Sequence, residues 1–502
     1  MTRMWRRYRA LIIILAVALL IIYVITRGME PKVWMSILLS GVTLAALYFL
    51  LASGLSLVFG LMDVLNFAQG AIFVTGAYMG LSTFLNPRLL FNTLPFFLAI
   101  AAGAVVTERL GIVLWRRVDT SQRRRILWWA LLIVSGIIIV LALRGFPIRA
   151  INAFNVVAVG GTVSTAEAQE PLGIMFRRMA ILFAGGLVFG MMLSPKERHE
   201  ERPRRPLWQT AAILIALLVL GCLLLVGRDV GETFMLGMSS DLRFLLAIVV
   251  GAAAGALVGV AIETVLIRPF YGNPVTQLVL TLGLSIVMID LVELIWGEEG
   301  NPPMQPPSFF TEACRSESLF AWFSENCRSL DVMGRAFPTY RLFIIAVGVV
   351  VFIAVGLLLQ RSRIGMIIRA GVQDSEMVQA LGINVRMVFT FVFALGSALA
   401  ALGGVIAAPF LGVYPAMGNI YQLQAFIAVV IGGMGSYAGA AVGTLLLGLA
   451  RAFGDHFVAA GIDLPFLDAV IKGSPAIAQA SSVLIMAIVL LVRPAGIFGK
   501  KE

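Results

Sequence analysis

Apolar residues in this chain come in long blocks, with little of the alternation of a half-buried strand. Blocks cover residues 10–25, 33–59, 96–115, 126–143, 179–193, 207–226, 244–267, 275–296, 342–359, 387–408, 439–453 and 481–492. A helix needs about 20 apolar residues to cross a hydrocarbon core of ~30 Å. Most of these blocks approach that length, and their apolar character runs all round the helix, as lipid or a deep core requires. Residues 425–431 and 439–453 flank Gly432-Gly433-Met434-Gly435-Ser436 as the two arms of a hairpin. With that hairpin counted as two passes, the pattern predicts an all-α polytopic membrane protein of roughly 12–14 transmembrane helices. Spans of such length disfavour a β-barrel.

One segment breaks the pattern. Residues 361–386, RSRIGMIIRAGVQDSEMVQALGINVR, are polar, yet Ile364, Ile367 and Ile368, then Met377, Val378 and Leu381, recur at helical spacing. Gly371 separates the two groups, Asp374 or Ser375 can cap a second helix, and Gly382 can stop it. The spacing predicts a short helical hairpin at the membrane surface, one face on the bundle and one offered outward.

Composition agrees with membrane residence. Of 502 residues 60% are hydrophobic and 13% charged, and the mean hydropathy is +0.96, more than a soluble core can hide. The net charge of +11 would suit nucleic acid, but the basic residues cluster beside apolar blocks, where they set orientation; no nucleic-acid partner is expected. With residues 1–32 as an uncleaved N-terminal anchor and both termini cytoplasmic, the clusters at 116–125, 195–206, 361–386 and 493–502 all fall inside. Arg144, Arg149, Arg177 and Arg178 fall outside and go against the rule.

Chemistry-bearing residues are few. Asp63, Asn66 and Gln69 are three apart, on one face of a helix if the helix continues there. They read either as interhelical hydrogen bonding or as the lining of a pathway. Cys314 and Cys327 flank the polar segment 297–341 and can form a disulfide in an oxidising compartment, while Cys222 lies in an apolar block. No metal-ligand spacing and no phosphate loop occur; the lysines, Lys32, Lys196, Lys472, Lys500 and Lys501, stand in no such motif.

Four motifs together resemble the branched-chain amino acid permease family of ABC importers. Gly365, Arg369, Ala370, Gln373, Asp374, Ala380, Leu381, Gly382 and Ile383 stand as in that family's cytoplasmic coupling loop. Leu65-Asn66-Phe67-Ala68-Gln69-Gly70 is similar to its LNxAxG core. Thr281-Leu282-Gly283-Leu284-Ser285 after Arg268-Pro269, and the GGMGS turn followed by Leu491-Val492-Arg493-Pro494-Ala495-Gly496-Ile497-Phe498-Gly499, complete the match. The blocks within 123–241 have no place in the shorter family pattern. This divides the chain into an anchor (1–32), a first core part (33–122), inserted helices with a basic cytoplasmic loop (123–241) and a second core part (242–502).

The resemblance implies a permease subunit working by alternating access in the bacterial inner membrane. It implies partner ABC ATPase subunits that bind ATP and Mg, a second permease subunit and a periplasmic solute-binding protein; this chain carries no cofactor of its own and is no enzyme. Asn66, Gln69, Gly70, Thr281, Ser285, Gly432 and Gly433 are its candidate pathway residues. Branched-chain amino acids are the first expectation for the cargo, urea or short amides the second. An ion-coupled secondary transporter is the alternative from another class, with Asp63, Asp290 and Glu293 as its candidate acids.

Overall fold

In the computed structural model of the protein the described residues are 30–62, 64–116, 121–151, 170–193, 206–298, 304–373, 377–378, 382–460, 462–463, 470–471, 475–493 and 495–499. Nearly all of the expected anchor 1–32, the basic loop 195–205, and Asp63, Asp374, Ala380 and Leu381 lie outside them. In chain order the helices begin with α1 (Pro31–Met62), α2 (Gln69–Leu85), α3 (Arg88–Arg116) and α4 (Ser121–Leu143). Next come α5 (Leu172–Leu193), α6 (Leu207–Val226), the short α7 (Arg228–Gly237), α8 (Ser240–Ala261) and α9 (Pro274–Trp296). A small sheet follows, built from β1 (Glu312–Ser316), β2 (Cys327–Val332) and β3 (Arg335–Pro338), with α10 (Leu319–Glu325) between β1 and β2. The chain then runs through α11 (Thr339–Arg361), α12 (Arg363–Gln373), α13 (Val385–Leu411), α14 (Met417–Gly432), α15 (Tyr437–Ala460) and α16 (Pro475–Val492). Among the described residues ten helices are long and apolar enough to cross a membrane. The protein is an all-α polytopic membrane protein with minor β elements outside the spans.

Two compact units form. One takes in the described residues of Met1–Leu81, Phe244–Glu293 and Glu298–Glu502. Its centre is α1, whose Leu47, Leu50, Leu51, Ala52 and Leu55 are at most 1% exposed, with α11, α13, α14 and α15 packed round it. The opposite ends of α1 mark the two ends of this unit. Lys32, at its start, lies beside Gly334 of the β2–β3 turn. Gly60, at its finish, meets Gly435 between α14 and α15.

The other unit is Ser82–Arg243 with Leu294–Gly297. It starts before the expected insertion at 123 because α3 packs on α5 and α6. A Cβ on Gly103 of α3 would stand 2.3 Å from the Phe183 carbonyl, and one on Gly186 of α5 the same distance from that of Ile100, so small residues bring these backbones into contact. Phe96, Ala99, Met175, Met179, Leu182 and Leu225 form its core, with Cys222 packed against it. One of the outward arginines finds an explanation here. Arg178 grips Glu170 at 2.6 and 2.8 Å and donates to the carbonyls of Ala142 and Arg144 at the end of α4. A cation neutralised at a helix C-terminus carries little weight in setting orientation.

The polar segment 297–341 is more ordered than a loop. β1 pairs parallel with β2, and β2 antiparallel with β3. Cys314 and Cys327 are joined by a disulfide. Phe309, Phe310 and Trp322 stack on one another and, through Phe310, on Tyr340 and Phe343 of α11.

Candidate functional site

The first region of interest is a break in the bundle. α1 ends at Met62 and α2 begins at Gln69; residues 64–68 are not helical. Asn66 and Gln69 therefore do not share a face of one continuous helix, as their spacing suggested. The chain leaves α1, doubles back toward its middle and starts again there. A Cβ on Gly54 would lie 2.5 Å from the Gln69 amide nitrogen and 2.2 Å from the Gly396 carbonyl. Only a glycine lets α1, α2 and α13 meet at that point.

Irregular backbone at membrane depth survives only when its polar groups are paired inside the protein or face a water-filled cavity. Here several of those groups are paired. The Asn66 side-chain oxygen accepts from the Ala68 N–H at 3.0 Å, and its amide donates to Gln69 Oε1 at 2.9 Å. The Gln69 amide donates to the Gly396 carbonyl at 2.7 Å. Thr281 Oγ1 of α9 accepts from the Phe67 N–H at 3.2 Å and lies 3.3 Å from the Leu65 carbonyl. Asn66, Gln69 and Thr281 are fully buried, and Ser285 follows one turn along the same face of α9. Gly70 abuts the Gly418 carbonyl and the Gln422 Cβ of α14.

Gln422 is the member that motif reading missed. Its amide reaches toward the Asn66 carbonyl at 3.5 Å, while its Oε1, like Ser397 Oγ and Gln424 Oε1, is buried without a hydrogen-bond partner among the described residues. Gln422 lies just before the apolar block 425–431, where the motifs gave no signal for it. An unpartnered buried acceptor costs about 1–3 kcal/mol, which a passing donor would recover.

Gly432 and Gly433 are not part of this cluster. They close α14, and the chain turns tightly through Gly433 (φ 102°) and Gly435 (φ 78°) into α15, so the GGMGS motif is a turn between two helices. The C-terminal motif lies on that turn: Ile497 and Phe498 donate backbone N–H groups to the carbonyls of Ile431 and Gly432, both at 2.9 Å.

The second region lies at the same end of the unit as that turn. α11 stops at Arg361 and α12 folds straight back. A Cβ on Gly365 would stand 2.3 Å from the Leu358 carbonyl and 2.4 Å from that of Leu359, so the corner requires glycine. Ser362 caps α12 by accepting the Gly365 N–H at 2.9 Å. Arg369 donates to the carbonyls of Gln360 and Gly365, at 3.3 and 3.4 Å, and so ties α12 to the end of α11. The helix passes the expected stop at Gly371 and ends at Gln373. Gly382 (φ 80°) turns the chain toward α13, and Ile383 donates back to the Val378 carbonyl at 3.3 Å. Ile368 and Val378 are buried, while Met366 (55% exposed), Ala370 and Met377 (60% exposed) face outward. The segment thus has one face on the bundle and an apolar face left open.

Near the start of α13 sits a third, unanticipated group. Glu263, in the π-helical turn that continues α8 over Ile262–Ile267, is fully buried and takes a two-pronged grip from Arg268 at 2.8 and 3.1 Å. Thr390 of α13 donates to it at 2.7 Å, and Tyr271 adds its hydroxyl. Burial and the neighbouring carboxylate push the Tyr271 phenol above its ordinary range, so it stays a donor. Asp290, by contrast, is exposed and Glu293 half-buried.

Comparison with known proteins gives a consistent answer. Residues 207–493 match the family model described as the branched-chain amino acid transport system permease component. The chain is 29% identical over 290 residues to the high-affinity branched-chain amino acid transport system permease protein LivH of Escherichia coli K12, covering 57% of this chain and 82% of that one. It is 32% identical over 273 residues to the permease protein BraD of Pseudomonas aeruginosa, covering 53% and 79%. The ribose import permease protein RbsC of E. coli K12 is 31% identical over 209 residues, covering 40% and 57%. No solved structure matches. The family match over more than half of the chain, with sequence identity over most of LivH and BraD, places the chain in the branched-chain amino acid transport permease family.

Proposed function

We propose that this chain is the membrane-spanning subunit of a binding-protein-dependent ABC importer that carries branched-chain amino acids by alternating access. The observation that supports the reading furthest is the α12 segment. It is rigidly cornered by Gly365, Ser362 and Arg369, yet presents Met366, Ala370 and Met377 to solvent. An apolar face held out from a membrane bundle suits a hydrophobic groove on another protein. The partner is an ATPase subunit, with Leu381 and Ile383 continuing the same contact. In this reading 361–386 faces the cytoplasm and the disulfide-bonded sheet faces the periplasm, where a solute-binding protein meets it. A second permease subunit completes the pathway.

The break at 64–68 is the proposed passage point. Asn66, Gln69, Gly70, Thr281 and Ser285, joined by Gln422, line it; Gly432 and Gly433 serve the turn next to the docking end. Relatives named for branched-chain amino acids and for ribose share this body, so the cargo rests on the higher coverage of LivH and BraD.

The test is reconstitution with the cognate ATPases and binding protein in vesicles, with radiolabelled leucine as probe. Uptake that needs internal ATP and is lost in Ala370→Glu, together with ATPase co-elution, supports the reading. Uptake that ignores ATP but follows a proton gradient overturns it in favour of ion coupling. Urea uptake with leucine excluded reassigns the cargo to amides.

A further inference from the structure

Gly251, Gly255, Gly259 and Glu263 follow one another at four-residue spacing, so they form one stripe down α8. Across from them α13 runs antiparallel. Cβ atoms added to the three glycines would meet Val405, then Ala401, then Ser397, at 2.4, 2.3 and 2.3 Å. The same steps bring Glu263 opposite Phe393, and its longer side chain reaches one turn further, to Thr390 at 2.7 Å. The first three contacts are small and smooth; they bring the helices together but offer little to stop them sliding. The fourth is directional: Thr390 donates to a carboxylate that Arg268, in the same chain segment as Glu263, also holds, and accepts from Arg268 in turn. At this point α8 also loosens into a π-helical turn over Ile262–Ile267, a rare form that widens the helix and places Arg268 and Tyr271 round the Glu263 carboxylate.

Thr390 stands in the second turn of α13, whose cap is Asn384. The segment 361–386 feeds directly into that helix. Glu263 therefore connects the stem of the exposed segment to the glycine stripe, and through it to Gly76 of α2, which also lies against Gly251 and Ala401. We propose that the Glu263–Arg268–Thr390 group is the latch that fixes the register of α8 on α13, so that a push on the segment 361–386 moves α8 and α2 as one body. Glu263 is a positioning residue, not a substrate contact. The inference rests on the reading of 361–386 as the ATPase-coupling segment.

The experiment uses the whole chain, with Cys222 replaced by Ser, assembled with its ATPase, partner permease and binding-protein subunits in vesicles. Spin labels at Leu257→Cys on α8 and Met387→Cys on α13, both exposed in the monomer, report the register as a distance distribution. In Glu263→Gln the distribution is expected to broaden, basal ATP hydrolysis to persist within about twofold, and stimulation by the loaded binding protein to fall about tenfold. Because a half-buried Arg268 left without its carboxylate can itself impair folding, the neutral pair Glu263→Gln/Arg268→Met is measured beside it. The latch predicts that this pair restores yield and thermal stability but leaves hydrolysis unstimulated and the distance broad. A neutral pair with wild-type stimulation and a narrow distance overturns the proposal, since the group is then only a neutralised charge. If the wild type neither binds an ATPase nor hydrolyses ATP, the functional reading fails. The spin-label distance then decides the latch by itself: a broad distribution in Glu263→Gln upholds it and an unchanged one removes it.

Discussion

At Gly54 the backbones of α1 and α13 meet beside the Gln69 amide, and the side chain is hydrogen because nothing larger fits. A methyl there would sit 2.2 Å from the Gly396 carbonyl, so Gly54→Val must push α1 off α13 and expel the Gln69 amide from its bond. Overpacking of this kind costs about 1–3 kcal/mol, and loss of the bond from Gln69 adds to it. Thermal unfolding in detergent should show a clear drop for Gly54→Val. Gly283→Ala on α9, where a Cβ meets nothing within 4 Å, should unfold like the wild type. An equal drop in both variants would remove the case for a special contact at Gly54. Gln422→Leu makes the complementary prediction. Its Oε1 has no described partner and its amide bond is long, so the variant should unfold no earlier than wild type. If the break is the passage, leucine uptake should nevertheless fall about tenfold. Normal uptake would leave Gln422 as packing alone.

Elements differ in how far they could be read beforehand. The spans were legible because lipid demands long apolar runs, and α12 because Ile364, Ile367 and Ile368 keep helical spacing in a polar context. The break after Met62 was not legible. Asp63, Asn66 and Gln69 keep helical spacing, and what unwinds the chain there is tertiary: Thr281 and Gln422 supply the partners that free backbone groups need. The π-helical turn at Glu263 was hidden for the same reason, since Thr390 is distant in sequence. The sheet of segment 297–341 escaped notice because its stabilisers, a disulfide and an aromatic stack, leave little periodicity in strands this short. The bridge closes a loop with a sequence separation of 13, for which chain entropy alone gives about 3 kcal/mol. Cys314→Ser/Cys327→Ser should therefore lower the protease resistance of residues 304–338 while the spans keep their helicity by circular dichroism. The Arg315–Asp331 pair behind it is exposed. The hydrogen bond from Arg315 holds the Asp331 carboxyl below its ordinary range. Its contribution is present above the unfolded value of about 3.9 and fades only as pH falls through the lower folded one. Protease resistance should be flat from about pH 5 to pH 8.

For the whole molecule the decisive question is which end of the permease body faces which compartment. α11 has 23 residues, so it rises ~34 Å and matches a hydrocarbon core of ~30 Å. The disulfide-bonded sheet ends at Pro338, immediately before α11, and α12 begins at Arg363, immediately after it. Whatever the orientation, these two segments must open on opposite faces of the membrane. In the proposed reading charge sets the orientation: Arg361, Arg363, Arg369 and Arg386 gather on the α12 side, and such clusters are expected on the cytoplasmic side. Of the four arginines that go against the rule, Arg178 loses force once Glu170 and the α4 carbonyls are seen to hold its side chain. In a chain with Cys222 replaced by Ser, Met366→Cys should react with a membrane-impermeant maleimide in inverted vesicles only. Arg335→Cys on the sheet should react in right-side-out vesicles only. Labelling of both from one side would mean that α11 does not cross. The opposite pattern would leave the bundle intact but place α12 beyond the reach of any cytoplasmic ATPase, and ATP-driven coupling through it would have to be abandoned.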